Sequence, residues 1–219
     1  MIRMSWVAGK QLCKLTIMCA HSLYSSLVLN PKSIYYKQLK DALKHDYEDL
    51  VWSEDAVFLE RNSRTFKERS KIINQNAEAL CDFLVSHEKG KGRIIYIACL
   101  LTFSASAVQK VFYPKYVCRE YYDAVKHKTE DAGYGGLFSV LLKDEKSAAQ
   151  FFDNLKCAKG PSLGTNFTLA CPYTILAHYT ELDWANEYGV SRFLVRVSVG
   201  LEDREKLLSM FKEALDAVN

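Results

Sequence analysis

The sequence predicts an α/β fold of α+β character, a small sheet of four to five strands with helices packed against it. Three observations predict it. Short apolar runs of strand period recur at residues 108–113, 137–142 and 193–199. The second and third are each followed by a helical pattern, at 146–155 and after Asp203, as in a sheet covered by helices. An apolar stripe of Leu59, Phe66, Ile73, Ala77, Leu80 and Leu84 keeps the spacing of one long helix, expected to span 63–86.

Composition excludes several classes. The chain has 219 residues, enough for one good core, and its 49% hydrophobic and 25% charged content is that of a globular protein. A net charge of +3 is too small to argue for nucleic acid. Charge is uneven, however. Residues 1–40 hold Arg3, Lys10, Lys14, Lys32, Lys37 and Lys40 and no acid, and the other 23 basic and 26 acidic residues leave the remainder at −3. A basic, acid-free start suits a mitochondrial transit peptide, whereas Lys10 and Lys14 interrupt the apolar run that a secretory signal needs. Seven scattered cysteines with no C-x-x-C pair argue for a reducing compartment, with the cytosol as the default, and against a disulfide framework or structural zinc.

Taken in order, residues 1–25 carry the weakest pattern. From Ser26 an apolar strand runs to Asn30-Pro31, where proline at the first turn opens a helix, and Tyr35, Leu39, Ala42 and Leu43 share a face. Ser53 begins the longer helical region, which ends in the turn-forming His87-Glu-Lys-Gly-Lys-Gly92. The apolar run 94–108 is 15 residues long and diluted by Thr102, Ser104 and Ser106, short of the ~20 that cross a bilayer, so no membrane partner is expected. Pro114 stops the strand at 108–113. Gly133-Tyr-Gly-Gly136 is a turn and not a phosphate cradle, because it leads into a strand rather than a helix. In the last helix Leu207, Leu208, Phe211, Ala214, Leu215 and Val218 form an inward face, and Asp203 can cap its start.

The strand at 193–199 has one defect in its pattern. Phe193, Val195, Val197 and Val199 fall on one face, Leu194 and Arg196 on the other. An arginine in a β-branched run must reach solvent, a carboxylate or a phosphate, because its charge does not titrate away and desolvation is costly. A structural ion pair is the plain reading, and a bound carboxylate held in a two-bond fork the functional one. Upstream, Lys159-Gly-Pro-Ser-Leu-Gly164 forms a glycine- and proline-rich loop. Between loop and strand, His178 lies near Glu181 and Asp183, a set that suits either acid–base chemistry or a surface histidine. Cys171 and His178 have no further ligands close in sequence, so no metal site is expected.

Ser162-Leu-Gly164 and Arg196-Val-Ser-Val-Gly-Leu-Glu-Asp203 before a last helix resemble the closing domain of the pyridoxal-phosphate enzymes of cysteine and methionine metabolism. The branch is similar to fungal cystathionine gamma-synthase. Ser26-Leu-Val-Leu-Asn-Pro31, Leu59-Glu-Arg-Asn-Ser-Arg64, Asn76-Ala-Glu-Ala79, Tyr113-Pro-Lys-Tyr116 and Gly133-Tyr-Gly-Gly-Leu-Phe-Ser139 occur in the family's order. The resemblance covers roughly residues 26–219, so the basic stretch from Lys32 to Lys40 falls inside it. It breaks near 91–108, which has the character of an insertion.

The resemblance implies the C-terminal, substrate-side domain of a fold-type-I pyridoxal-phosphate transferase, truncated at its N-terminus. Its parts are a divergent segment 1–25, a strand and linker helix 26–52, and a domain 53–219. It implies γ-replacement, in which pyridoxal phosphate holds an activated homoserine and cysteine's thiol adds to give cystathionine, the cofactor supplying the electron sink. Arg196, with Ser162 and Leu163 beside it, would hold the substrate carboxylate. The family's Schiff-base lysine precedes the Ser-Leu-Val-Leu-Asn-Pro strand by about a dozen residues, which lands on Lys14. Gln11 and Cys13 stand there in place of the family's phosphate-binding hydroxyls. Binding of the cofactor by this chain alone is therefore not expected. Thr165-Asn-Phe-Thr168 after Ser-Leu-Gly favours the synthase branch over the β- and γ-lyases. Two alternatives stand beside the synthase reading: a lyase-type domain, and a non-catalytic remnant that partners a second copy or a full-length relative.

Overall fold

Five strands of alternating burial form the sheet of the larger part of this chain, seen in a computed structural model. The structure describes residues 2–7, 10–19, 22–48, 50–88, 107–126 and 132–218, with backbone alone for 2–28 and 88. It divides into two compact units, residues 1–67 and 68–219.

The first unit holds an antiparallel three-stranded sheet of β1 (Ile2–Val7), β2 (Lys10–Cys19) and β3 (Ser22–Leu29), in that order. Lys14 lies in β2, opposite Arg3 on one side and Leu27 on the other. After β3 the chain does not enter a helix at Pro31 as the sequence suggests. The Asn30 side chain accepts the Lys32 N–H at 2.9 Å and the Asn30 carbonyl accepts the Ser33 N–H at 3.0 Å, a turn that competes with helix initiation. Helix α1 (Tyr36–Asp46) follows and buries no residue. The face expected from Tyr35, Leu39, Ala42 and Leu43 is covered only in part: Tyr35 and Leu39 are half-buried, Ala42 and Leu43 exposed. Helix α2 (Ser53–Ser63) also belongs to this unit.

The single stripe from Leu59 to Leu84 is corrected by two turn residues. Arg64 and Thr65 separate α2 from α3 (Phe66–Glu88), so the long helix starts at Phe66 rather than at residue 63. Phe66 is exposed, and full burial begins only at Asn76, Ala77, Leu80, Cys81 and Leu84. The spacing is helical throughout, but only the later turns of α3 meet the sheet.

That sheet is ordered β4 (Val108–Phe112), β5 (Leu137–Leu142), β8 (Val195–Ser198), β7 (Leu169–Pro172) and β6 (Ala158–Lys159). All neighbours pair antiparallel except β6 and β7. One face is covered by α3, α5 (Glu145–Asn154) and α8 (Arg204–Asp216). Period-two alternation explains the choice of face. Phe138, Val140 and Leu142 of β5 and Val195 and Val197 of β8 turn to the helices and are buried. They meet Ala77, Leu80 and Leu84 of α3, Phe151 of α5, and Leu207, Phe211, Ala214 and Leu215 of α8. Phe211 lies at the centre, with ring centroids 6.2 Å from Phe138 and 6.1 Å from Phe151. Burying a phenylalanine of this kind contributes about 1.5–3 kcal/mol.

Caps fix the helix starts. Asp203 accepts the Lys206 N–H at 3.1 Å, as the sequence suggests, and Asp144 does the same for Ser147 at 2.8 Å. The short helices α4 (Arg119–Val125), α6 (Tyr173–Ala177) and α7 (Leu182–Glu187) complete the described elements. Nearly all of the run 91–108 lies outside the described residues. No described helix is long and apolar enough to cross a membrane.

Candidate functional site: an arginine between the central strands and a loop

The face opposite the helices carries the polar residues of the central strands. Cross-strand register places Ser139 of β5 and Cys171 of β7 on either side of Arg196 in β8. This is the geometric reason for the defect in the strand pattern: Arg196 lies on the face turned away from α3, α5 and α8, beside the start of α6.

Arg196 reaches the loop that the sequence singles out. Its Nη2 donates to the Pro161 carbonyl and, at 3.5 Å, to the Ser162 carbonyl. Its guanidinium carbon sits 4.9 Å from the centroid of the Tyr173 ring. Among the described residues no carboxylate pairs with it. A structural ion pair with a described carboxylate is therefore not what holds this arginine. Burial pushes the neighbouring Cys171 thiol up, while the Arg196 charge and a hydrogen bond from Arg196 act the other way.

The loop is positioned by the strand end that follows Arg196. The Gly164 N–H donates to Ser198 Oγ at 2.9 Å, and Gly164 sits at φ +73°, a conformation that glycine adopts without strain. The Thr168 N–H donates to Glu202 Oε1, and the Thr168 hydroxyl to Glu202 Oε2 at 2.9 Å. Gly200 donates to Thr168 Oγ1 at 3.0 Å, and Leu201 to the Asn166 carbonyl at 2.8 Å. Asn76 of α3 ties the same turn to the core, donating to the Gly200 carbonyl at 3.3 Å and the Glu202 carbonyl at 2.8 Å. Ser162 and Arg196 are thus brought together, with Leu163 next to Ser162 in the loop. Lys14 is in the other unit, and its side chain lies outside the described residues.

Other quoted motifs turn out to be structural. Lys115 of the Tyr-Pro-Lys-Tyr motif pairs with Glu78 at 2.7 Å and Asp82 at 3.0 Å of α3, and the Tyr116 hydroxyl also donates to Asp82. The Tyr113 hydroxyl donates to the Gly135 carbonyl at 2.9 Å, fixing the glycine turn. Arg64 pairs with Glu60 one turn earlier. His178 Nδ1 lies 2.7 Å from Glu181 Oε1, and its ring meets the edge of Tyr173. No group of three metal-ligating side chains occurs among the described residues. A cavity of about 210 Å³ behind the loop, lined by Cys157, Phe167, Glu202, Lys206, Leu207 and Met210, does not include Arg196.

Tyr173 is the site residue that sequence reasoning missed. Its signal was present, since it follows β7 directly and β7 pairs with the strand of Arg196, but pairing order is not visible in one sequence.

Comparison with known proteins bears on this geometry. The family model of the Cys/Met metabolism PLP-dependent enzymes matches residues 27–216. The cystathionine gamma-synthase of Neurospora crassa is 47% identical over 189 residues, covering 86% of this chain and 27% of that protein. A cystathionine gamma-synthase-like enzyme of Amanita muscaria is 44% identical over 209 residues, covering 90% and 32%. The crystal structure of cystathionine gamma-lyase from yeast superposes with a TM-score of 0.68 at 25% identity, over 91% of this chain and 47% of that one. The cystathionine gamma-synthase of Xanthomonas oryzae, solved with cystathionine, gives 0.58 at 22% identity over 75% and 38%. The chain spans about a third of the length of these curated relatives.

Proposed function

Because the chain belongs to the Cys/Met metabolism PLP-dependent enzymes, we propose that it is the substrate-side part of a cystathionine gamma-synthase-type transsulfuration protein. The observation that carries this reading is Arg196: a half-buried guanidinium on the sheet face turned away from α3, α5 and α8, held by two loop carbonyls, with no acidic partner among the described residues. Its role is to receive the α-carboxylate of the amino-acid substrate, an activated homoserine, in a charge-assisted fork. The Pro161 and Ser162 carbonyls set the guanidinium's direction.

Pyridoxal phosphate supplies the family's electron sink when bound. The starts of the two long helices α5 and α8 do not fit its phosphate. A phosphate needs free N–H donors at a helix N-terminus or a nest. The N-termini of α5 and α8 are each closed by a carboxylate, Asp144 and Asp203. The glycine turn 133–136 opens a strand. Gln11 and Cys13 precede Lys14 where the family's hydroxyls would stand. The chain's own contribution is thus orientation of the amino acid.

The same proposal extends to location and partners. The cytosol follows from seven cysteines without a paired motif. A second copy or a full-length relative is the protein partner, for which exposed Tyr179, Trp184 and Tyr188 offer an apolar surface. Calorimetric titration with L-homoserine, for wild type and Arg196→Ala, tests the reading. Saturable binding that the substitution abolishes supports it. Binding that ignores the substitution, or no saturable binding by the wild type, overturns it.

A further inference from the structure

We propose that Tyr173 is the positioning residue that sets Arg196 for carboxylate capture, an inference that rests on the carboxylate role of Arg196 given above. Three contacts carry it. The Tyr173 ring lies under the guanidinium, 4.9 Å from centroid to Cζ. The Tyr173 N–H donates to the Leu194 carbonyl at 3.1 Å, so its backbone is fastened to the segment leading into β8. The ring also meets His178 edge-on at 5.8 Å, and His178 is held by Glu181 at 2.7 Å. The aromatic ring is therefore fixed in place before any ligand arrives.

The chemistry separates this ring from the other neighbours of Arg196. The Pro161 and Ser162 carbonyls accept from Nη2 and so consume donor capacity. An aromatic face attracts the cation through its quadrupole and consumes none of the in-plane N–H groups. Tyr173 thus restrains the guanidinium without competing with the carboxylate for hydrogen bonds. A long arginine otherwise samples many rotamers, and ordering it on binding costs affinity. The hydroxyl has no part in this, so phenylalanine should replace tyrosine.

The experiment is side-chain ¹⁵N NMR of the 219-residue chain, following the Arg196 Nε–H signal, assigned by its loss in Arg196→Lys, during titration with L-homoserine. In the free wild type the signal is shifted by the ring current of Tyr173, and L-homoserine moves it saturably. Tyr173→Leu removes the ring-current shift and weakens binding by about two- to fivefold, the range of an exposed cation–π contact. Tyr173→Phe restores both, and the unfolding midpoint separates these effects from loss of fold. If the wild-type signal shows no ring-current shift, the inference fails whether or not Tyr173→Leu folds. If binding depends on Arg196 and is equal in wild type and Tyr173→Leu, the inference fails and the carboxylate role stands. If the wild type shows no Arg196-dependent binding, both fall.

Discussion

Thr168 and Glu202 are joined twice, the backbone N–H to one carboxylate oxygen and the hydroxyl to the other at 2.9 Å, with Thr168 buried. This clamp closes the loop that carries Ser162 onto the strand end that follows Arg196. Removing the carboxylate leaves a buried N–H and hydroxyl to be resatisfied. Glu202→Ala should cost about 1.5–3 kcal/mol of unfolding free energy, the range for hydrogen bonds to a charged group. Urea unfolding measures it, and a change below about 0.5 kcal/mol would mean that the clamp is not formed in solution.

Gly200 is needed for space rather than for its backbone angle. A Cβ there would lie 2.5 Å from Cα and from the carbonyl carbon of Phe167, both rigid backbone. Gly200→Ala should therefore push the 162–168 loop outward, at a cost of about 1–3 kcal/mol, and weaken L-homoserine binding through the displaced Ser162 carbonyl. Gly160→Ala is the control, since its nearest contact is the Leu169 side chain at an ordinary 3.8 Å. Equal effects of the two substitutions would remove the steric argument.

The strands were legible because their alternation is local: Phe138, Val140 and Leu142 declare their face in six residues, and so do Val195 and Val197. The Asp203 cap was legible for the same reason. What the sequence could not place depended on contacts far along the chain. The apolar stripe continues through Phe66, yet burial depends on where the sheet lies, and only the later turns of α3 reach it. The helix expected at Pro31 lost to a side-chain turn made by Asn30, a choice between two local options that composition does not decide. Arg196 stood out as a polar residue in an apolar run, whereas Tyr173 did not, because an aromatic residue needs no special explanation until its neighbour is known.

Buried thiols give this fold a signed response to alkaline pH. Burial pushes the thiols of Cys81, Cys157 and Cys171 up from their usual value. The folded chain then keeps protons that the unfolded chain releases above about pH 8.5. Fewer protons bound in the unfolded state means that stability falls as pH rises through that point. The limiting slope is about 1.4 kcal/mol per pH unit for each such thiol. Urea melts at about pH 7.5 and pH 9.5 should show the loss, and Cys81→Ala should reduce it although the substitution itself lowers stability. A stability that is flat across this range would contradict the burial of Cys81.

The cofactor prediction separates the family's chemistry from this chain's own. A tight aldimine site needs an amine of lowered pKa and a cradle of donors for the phosphate. Lys14 has the expected offset but Gln11 and Cys13 beside it, and the described helix starts on the sheet are closed by Asp144 and Asp203. Absorbance titration of the purified chain with pyridoxal phosphate should therefore give a weak band that does not saturate near one equivalent, and Lys14→Ala should leave it unchanged. Free amines still react faintly with the aldehyde. Burial holds the Lys159 amine below the usual lysine range, and it rests 4.0 Å from the Phe152 ring centroid while donating to the Phe152 carbonyl. Borohydride trapping followed by peptide mapping should find label at Lys159 and on exposed lysines, and Lys159→Arg should lower the total without abolishing it. A saturable band near one equivalent, lost in Lys14→Ala and retained in Lys159→Arg, would instead make Lys14 the Schiff-base lysine and give this chain a cofactor site of its own.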